Sequence, residues 1–153
     1  MNNLMFVVLL LTMQNSPSEK IPVSILGHWN VGAPYRTPGP IGINAVQEKF
    51  IRGLHLVYMN NYLHVCGKEI STQPINTKSL TENEFLQSYG FLPHIIGMES
   101  LPVTDLKMNP SNSMNACGVY QNPGMHLLID AGHNVVMEVA NDYFPLKKSS
   151  SNK

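Results

Sequence analysis

The sequence predicts a mainly β domain, an antiparallel barrel or sandwich that also contains two short helices. Short apolar segments recur along the chain, and in several of them apolar residues alternate as in a strand with one buried face. Glycine and proline occur 11 times each, so turns are frequent. Two segments carry helix-capping signals. The chain of 153 residues has the length of one domain with a sizeable core.

The N-terminus predicts export. The apolar run 4–13 is too short to span a bilayer, but it has the length of the hydrophobic region of a signal peptide. Small residues at Ser16 and Ser18 suit cleavage after Ser18. We therefore expect a signal peptide over residues 1–18, a barrel domain over 19–148 and a disordered tail over 149–153. The alternative for the apolar run is a buried first strand or helix.

The two cysteines, Cys66 and Cys117, are expected to form a disulfide, since a cysteine pair in an exported protein is more often bonded than free. A bridge that closes a loop of this length contributes roughly 4 kcal/mol in the chain-entropy model. Two separate buried thiols are the alternative. Export and a disulfide together predict a periplasmic or secreted protein, with no stable membrane insertion after cleavage.

The first structured element is expected at residues 26–31, which contain Gly27 and the only tryptophan, Trp29. A ring of this size can close one end of a core, and the glycine lets another chain pass close to it. Three prolines and three glycines make residues 32–42 a long loop. Asn44 then caps a short helix that ends at Gly53.

A β-hairpin is predicted around Asn60-Asn61, with strands 54–58 and 62–66, because asparagine tolerates the positive φ of a two-residue turn. In this register Tyr58 lies opposite Leu63. One face of the hairpin is apolar and is expected to point into the core. That face consists of Leu54, Leu56, Tyr58, Leu63 and Val65.

The second half of the chain begins with the capping box Thr81-x-x-Glu84, which predicts a helix from Glu82 to Tyr89. Strands are expected at 101–108, around Met125, Leu127 and Ile129, at 135–139 and at 143–146. A polar loop covers 109–115. Because proline lacks a backbone donor, we expect Pro145 to confine the last strand to a sheet edge or terminus.

Several of these segments, taken in order, resemble small bacterial lipocalin-like proteins. They are Leu26-Gly27-His28-Trp29, Ile51-Arg52-Gly53, Glu84-Phe85 with Tyr89, Leu127-Leu128-Ile129, and Glu138 followed by Phe144-x-Leu146-Lys147. The resemblance implies a calycin-type fold, an antiparallel lipocalin-like barrel of about eight strands with two short helices. It gives Gly27 and Trp29 a structural role, and it implies ligand binding or protein inhibition as the usual task.

In lipocalins the conserved tryptophan usually packs against an arginine from late in the barrel. Here the arginines are Arg36 and Arg52, both early in the chain. The resemblance therefore implies that Lys147 or Lys148 takes that place beside Trp29, although lysine lacks the planar guanidinium that stacks on a ring.

No constellation in the sequence predicts catalysis, a metal or a cofactor. His64-x-Cys66 opposite His55 has metal-binding ligand types, but a half-exposed face with an oxidised cysteine is the more economical interpretation. Cys117 has no motif that selects a base for it. His126 is expected to be a surface or capping residue, and Glu138 is expected to face solvent. A net charge of +0 with 13% charged residues makes nucleic acid an improbable partner.

Two functions remain open from the sequence. The first is binding of a small apolar ligand inside the barrel, by the hairpin face Leu54, Leu56, Tyr58, Leu63 and Val65 together with Met125, Leu127 and Ile129. The second is a protein-binding module, such as a periplasmic hydrolase inhibitor or a toxin-immunity protein, that uses loops 32–42 and 109–117.

Overall fold

The computed structural model describes residues 20–73, 75–108, 115–118 and 122–150, and within them the fold is mainly β. The strands are β1 (Gly27–Val31), β2 (His55–Met59), β3 (Tyr62–Val65), β4 (Lys68–Ser71), β5 (Ile75–Leu80), β6 (Val103–Met108), β7 (His126–Ile129), β8 (Val135–Val139) and β9 (Asp142–Lys148). The helices are α1 (Ala45–Arg52) and α2 (Glu82–Tyr89), with 3-10 turns at Val23–Ile25 and Pro93–Ile96.

The strands of the described residues form one antiparallel sheet in the order β4-β3-β2-β1-β9-β8-β7-β6-β5. The edge strands β4 and β5 follow one another in the chain, and residues 72–74 join them. A connection this short requires the two edges to lie near each other, so the twisted sheet curls into a half-barrel. This architecture is consistent with a lipocalin-like barrel and confirms the predicted fold class.

Each face of the sheet has its own apolar core. The inner face carries Trp29, Leu56, Leu127 and Phe144, whose side chains belong to one buried cluster inside the curl. Alternate residues of the same strands form a second cluster outside it, which α2 and the turn at Pro93–Ile96 cover. In β7, Leu127 points inward and the adjacent Leu128 points outward. Both faces of this part of the sheet are therefore buried.

Both helices begin where the sequence predicts. The side chain of Asn44 accepts hydrogen bonds from Val46 N and Gln47 N, and the side chain of Gln47 accepts one from Asn44 N. Thr81 and Glu84 form the same reciprocal arrangement at the start of α2, which ends at Gly90 with φ 79°. These local signals suffice because capping bonds join residues only three positions apart.

The predicted hairpin has the expected register, with Tyr58 opposite Leu63 and Val57 opposite His64. Strands β4 and β5 were not predicted. In β4 only Ile70 is buried, and in β5 only the end residues Ile75 and Leu80 are buried. Edge strands of this composition show little alternation, so periodicity does not reveal them.

The prediction for Pro145 was wrong. Pro145 lies within β9, which pairs with both β8 and β1 inside the sheet. Its carbonyl accepts a hydrogen bond from Gly32 N at 2.8 Å. The N and carbonyl O of a strand residue point to the same neighbour. The Pro145 nitrogen, which carries no hydrogen, therefore also points toward β1. It lies just beyond Val31, the last residue of β1, where the hydrogen-bonded pairing of the two strands ends.

The predicted signal peptide, residues 1–18, lies outside the described residues, as do 109–114 of the predicted polar loop and the end of the predicted tail. Ser149, the first residue assigned to that tail, donates its N–H to His28 O at 2.9 Å. No helix in the described part of the chain is long and apolar enough to cross a membrane.

Candidate functional site

The eight residues predicted to line a ligand site converge inside the curled sheet. Seven are buried side chains of the inner core, and Leu54 is half-buried against it. The seven are Leu56, Tyr58, Leu63, Val65, Met125, Leu127 and Ile129. Tyr58 is the polar member, and its hydroxyl donates to Gly124 O at 2.8 Å. Burial raises the pKa of this hydroxyl, so Tyr58 stays neutral.

Trp29 lies at one end of this inner core, and 5% of its surface is exposed. Its indole Nε1 donates to Ile25 O at 2.7 Å, which satisfies the one polar atom of the ring. Lys148 Nζ lies 5.3 Å from the ring centroid, and it also donates to Ser24 O at 3.3 Å. A lysine from the last strand thus occupies the place that the resemblance assigned to Lys147 or Lys148. Gly27, at φ 115°, lies beside the Lys148 side chain.

A cavity of about 430 Å³ opens at this end of the sheet. Three of its lining residues, Trp29, Val135 and Leu146, belong to the inner core. The rest of its wall is polar and comprises Ser24, His133, Asn134 and Lys148. Buried residues of the inner core therefore form part of the wall of this cavity. None of the eight predicted residues lines it, although Ile129 pairs with Val135 in the sheet.

Cys66 and Cys117 form the predicted disulfide, with 5.5 Å between their Cα atoms. Both cysteines pack against the inner core. A disulfide of this kind indicates an oxidising compartment. It also removes the thiolate that both the metal and the nucleophile hypotheses required. Among the described residues, no group of three or more His, Cys, Asp or Glu side chains is arranged to hold a metal.

His28 and His55 lie together on the outside of β1 and β2. His28 Nδ1 is 2.9 Å from His55 Nε2, and His55 Nδ1 is 3.0 Å from Asn30 Oδ1. No partner for His28 is predictable from the sequence, because the two strands that carry these rings are separated by the long loop and α1. The exposed pair belongs to the surface of the sheet.

A second opening, of about 760 Å³, lies between the start of the long loop and α1. Two ion pairs lie here. Arg36 Nη2 is 3.6 Å from Glu48 Oε2, and Arg52 Nη1 is 3.9 Å from Glu48 Oε1. Beside it three large apolar side chains are exposed, with exposed fractions of 68% for Ile41, 79% for Val46 and 44% for Phe50. Val46 and Phe50 are four positions apart and share one face of α1.

On the outer face of the sheet, three strands bring His126 between two carboxylates. His126 Nδ1 is 2.5 Å from Glu138 Oε2, and His126 Nε2 is 2.8 Å from Asp105 Oδ1. The Tyr89 hydroxyl donates to the other oxygen of Asp105 at 2.8 Å, and Asn141 N donates to Glu138 at 2.6 Å. The predictions that His126 is a surface or capping residue and that Glu138 faces solvent were therefore wrong.

These contacts stabilise the charged forms of all three side chains. Burial disfavours the imidazolium, but hydrogen bonds to Asp105 and Glu138 outweigh burial and raise the pKa of His126. Burial acts against both carboxylates as well, and their bonds to His126 nevertheless lower the pKa of Asp105 and of Glu138. The cluster is an ion triad, since a ring with both nitrogens facing carboxylates binds them best as a double donor.

One sequence signal for this triad exists. Strands β7 and β8 join through the turn at 131–134, and Ile129 pairs with Val135. Counting outward from that pair places His126 across from Glu138 on the same face. Asp105 has no such signal, because β6 and β7 are separated by residues 109–125.

Comparison of the chain with protein-family models, with curated proteins and with solved structures finds no match in any of the three.

Proposed function

We propose that this chain is an exported binding protein, periplasmic or secreted, that holds a small apolar ligand in the interior of the curled sheet. The observation that carries the proposal is the cavity of about 430 Å³ at the Trp29 end. Three residues of its wall, Trp29, Val135 and Leu146, belong to the inner core. Cavities of this size and mixed lining suit small molecules.

The lining defines the kind of ligand. Trp29, Val135 and Leu146 provide an apolar surface for the body of the molecule. The polar part of the wall, with Lys148 and Asn134, suits an oxygen-bearing head group at the rim. Deeper in the interior, Met125 and Met137 belong to the same core. Methionine side chains adjust easily to an inserted apolar chain, so the residues predicted to bind ligand would form its inner wall.

Intrinsic fluorescence tests this proposal, because Trp29 is the only tryptophan and lines the cavity. The exported, disulfide-bonded protein is stripped of lipid and titrated with medium- and long-chain fatty acids. We expect a saturable change in Trp29 emission with one ligand per chain. Ser24→Phe places a bulky side chain on the cavity wall and should weaken binding at least about tenfold.

Ser79→Phe is the matched control, since Ser79 is exposed in β5 and lines none of the three cavities described above. It should bind like the unmodified protein. Absence of saturable binding, or equal affinities in both serine variants, would refute the proposal. Apolar compounds in organic extracts of the freshly purified protein would support it independently.

A second candidate function is protein binding, and the exposed apolar group Ile41, Val46 and Phe50 favours it. Three large apolar side chains at the surface beside charged groups resemble the composition of an interface. A stoichiometric partner that co-purifies with the exported protein, and that Val46→Ser with Phe50→Ser releases, would favour this function. Retention of the partner in that double variant would exclude this surface.

A further inference from the structure

A separate cavity of about 280 Å³ lies against the outer face of the sheet. The long loop forms one wall of the cavity, with residues Thr37, Pro38, Gly39 and Pro40. The opposite wall comes from the end of α2 and the start of β9, with residues Tyr89, Gly90, Phe91, Asn141 and Tyr143. Tyr143 and Phe91 belong to the outer core, whereas Phe144 of the same strand points into the inner core. The sheet therefore separates this cavity from the proposed ligand site.

The loop wall is held in place on both sides of the cavity. Before the cavity residues, Tyr35 N donates to Tyr143 O at 2.8 Å. After them, Gly42 N and Ile43 N both donate to Asp142 Oδ2, at 2.9 and 3.0 Å. A Cβ at Gly42 would lie 1.6 Å from Ala140 O, so the close approach of the loop requires this glycine. The cavity is thus a built feature of the fold.

Three aromatic rings form the floor of this cavity. Phe91 and Tyr143 meet edge to face with centroids 5.1 Å apart, and Tyr89 lies 6.2 Å from Tyr143 and 6.4 Å from Phe91. The interplanar angles between the three rings are 52°, 79° and 81°, so they present surfaces in different directions. The face of an aromatic ring that lines a cavity attracts a cation through the quadrupole of the ring.

The surrounding charge favours the same class of ligand. No residue that lines the cavity is charged. Directly behind it, the Tyr89 hydroxyl donates a hydrogen bond to Asp105, and Asn141 N donates one to Glu138. A third carboxylate, Asp142, precedes Tyr143 in the chain. His126 and the exposed Lys107 balance only two of these three carboxylates, and Lys107 Nζ lies 3.4 Å from Asp105. All three carboxylates lie close enough to Tyr143 to raise the pKa of its hydroxyl.

Tyr143 provides a polar anchor. The residue is 4% exposed, and its side chain forms part of the cavity wall. Burial and the nearby carboxylates, led by Glu138, raise the pKa of this hydroxyl, so it remains a neutral donor. A neutral hydroxyl in a cavity wall can donate a hydrogen bond to a ligand.

From these observations we propose that the cavity under residues 37–40 binds a small organic cation with a methylated ammonium head, which the rings of Tyr89, Phe91 and Tyr143 contact. A volume of about 280 Å³ admits such a head group with a short hydroxyl-bearing tail. This site is independent of the proposed interior ligand site.

Calorimetric titration of the exported, disulfide-bonded protein with choline tests the proposal, and 3,3-dimethyl-1-butanol is its neutral isostere. Choline should bind at one site per chain with millimolar affinity, and the neutral alcohol should bind roughly tenfold more weakly, because it lacks the charge that the rings attract. Equal affinities would overturn the organic cation as ligand class. No binding of choline at tens of millimolar would overturn the site.

Single substitutions test whether choline binds in this cavity. Phe91→Leu removes one ring and should weaken choline binding roughly tenfold. Tyr143→Phe retains the ring and the packing, and should weaken binding of choline several-fold while leaving tetramethylammonium, which has no hydroxyl, unchanged. Tyr62→Leu is the control, since Tyr62 is an exposed aromatic residue of β3 that does not line the cavity. It should bind choline normally.

Circular dichroism spectra and melting curves establish that each variant is folded. If Phe91→Leu does not fold, Tyr143→Phe alone decides the assignment. Unchanged choline affinity in Tyr143→Phe, or an equal loss in Tyr62→Leu, would overturn it. Fatty-acid binding measured through Trp29 should be the same with and without choline, so failure of either proposed site leaves the other result interpretable.

Discussion

The two faces of the sheet bury different kinds of side chain. The inner face is aliphatic and methionine-rich around Trp29, and its polar groups are few. The outer face buries aromatic rings under α2 and also an ion triad, in which His126 lies between Asp105 and Glu138. Adjacent residues of one strand, His126 and Leu127, belong to these different environments. A face covered by a helix can therefore bury charge when each charged group has partners.

The faces also differ in how they satisfy polar atoms. On the outer face, both nitrogens of His126 and both carboxylates of its partners are hydrogen-bonded. Near the inner face, Thr72 is fully buried, and its Oγ1 is the one buried side-chain polar atom of the described residues that lacks a partner. Substitutions on the two faces should therefore change stability by different mechanisms.

The largest effect is expected at the inner face. Trp29→Ala removes a buried ring and its bond to Ile25 O, and should lower the free energy of unfolding by about 3–5 kcal/mol. Trp29→Phe should cost much less, because part of the ring volume remains. Urea denaturation of both variants measures the difference. A melting temperature of Trp29→Ala equal to that of the unmodified protein would contradict the role of Trp29 in closing this core.

On the outer face, His126→Leu should lower the free energy of unfolding by about 3 kcal/mol, since it leaves Asp105 and Glu138 buried without their common partner. The triple variant Asp105→Leu, His126→Leu, Glu138→Leu provides the control and should be more stable than His126→Leu, because no unpaired charge remains. Urea denaturation compares the two. A triple variant less stable than the single one would mean that the ion triad itself stabilises the fold.

The pH dependence of stability should also originate on the outer face. The raised pKa of His126 stabilises the fold below about pH 6.5, the usual value of a free histidine, and that contribution disappears as pH rises through the folded pKa. The lowered pKa values of Asp105 and Glu138 stabilise it above their usual range near pH 4, and that contribution disappears in more acidic solution. The triad should therefore contribute most between these limits.

Melting temperatures from pH 6 to pH 9 measure this effect. We expect the melting temperature of the unmodified protein to decrease over this range and that of His126→Leu to stay constant. The decrease should be smaller than the loss of melting temperature caused by His126→Leu itself, because a neutral imidazole still forms a hydrogen bond to one carboxylate. The same decrease in both proteins would assign it to other groups.

The smallest effect is expected at Thr72. Thr72→Val replaces an unpartnered hydroxyl with a methyl group of similar size, so we expect a gain of about 0.5–1 kcal/mol in the free energy of unfolding. Ser79→Val, at an exposed position of β5, is the control and should change stability little. A loss of stability in Thr72→Val would show that the hydroxyl has a partner in solution.

The elements that are predicted correctly from the sequence have local causes. The capping boxes at Asn44 and Thr81 and the turn at Asn60-Asn61 predicted α1, α2 and the β2–β3 hairpin in its correct register. Strands β4 and β5, whose buried residues are few, were not predicted, and the prediction that Pro145 lies at an edge or terminus was wrong, because Pro145 lies inside the sheet. Whether a strand lies at an edge depends on its neighbours in space, which periodicity along one strand does not reveal.

The apolar residues of the candidate interior site were predictable because alternation assigns them to one buried face, and the structure brings seven of them into one core. The cavities were not predictable. Each is formed by segments distant in the chain, such as Ser24, Trp29 and Lys148 at one end and Pro38, Phe91 and Tyr143 on the outer face.

By itself, the sequence determined the mainly β class, the two capped helices, the apolar inner face and the cysteine pair, because each follows from short-range patterns or composition. Only the tertiary structure decided that β9 lies in the middle of the sheet, that Lys148 covers Trp29 and that Asp105, His126 and Glu138 meet. These contacts depend on how the sheet curls and which strands become neighbours, and that outcome is set by packing of the whole chain.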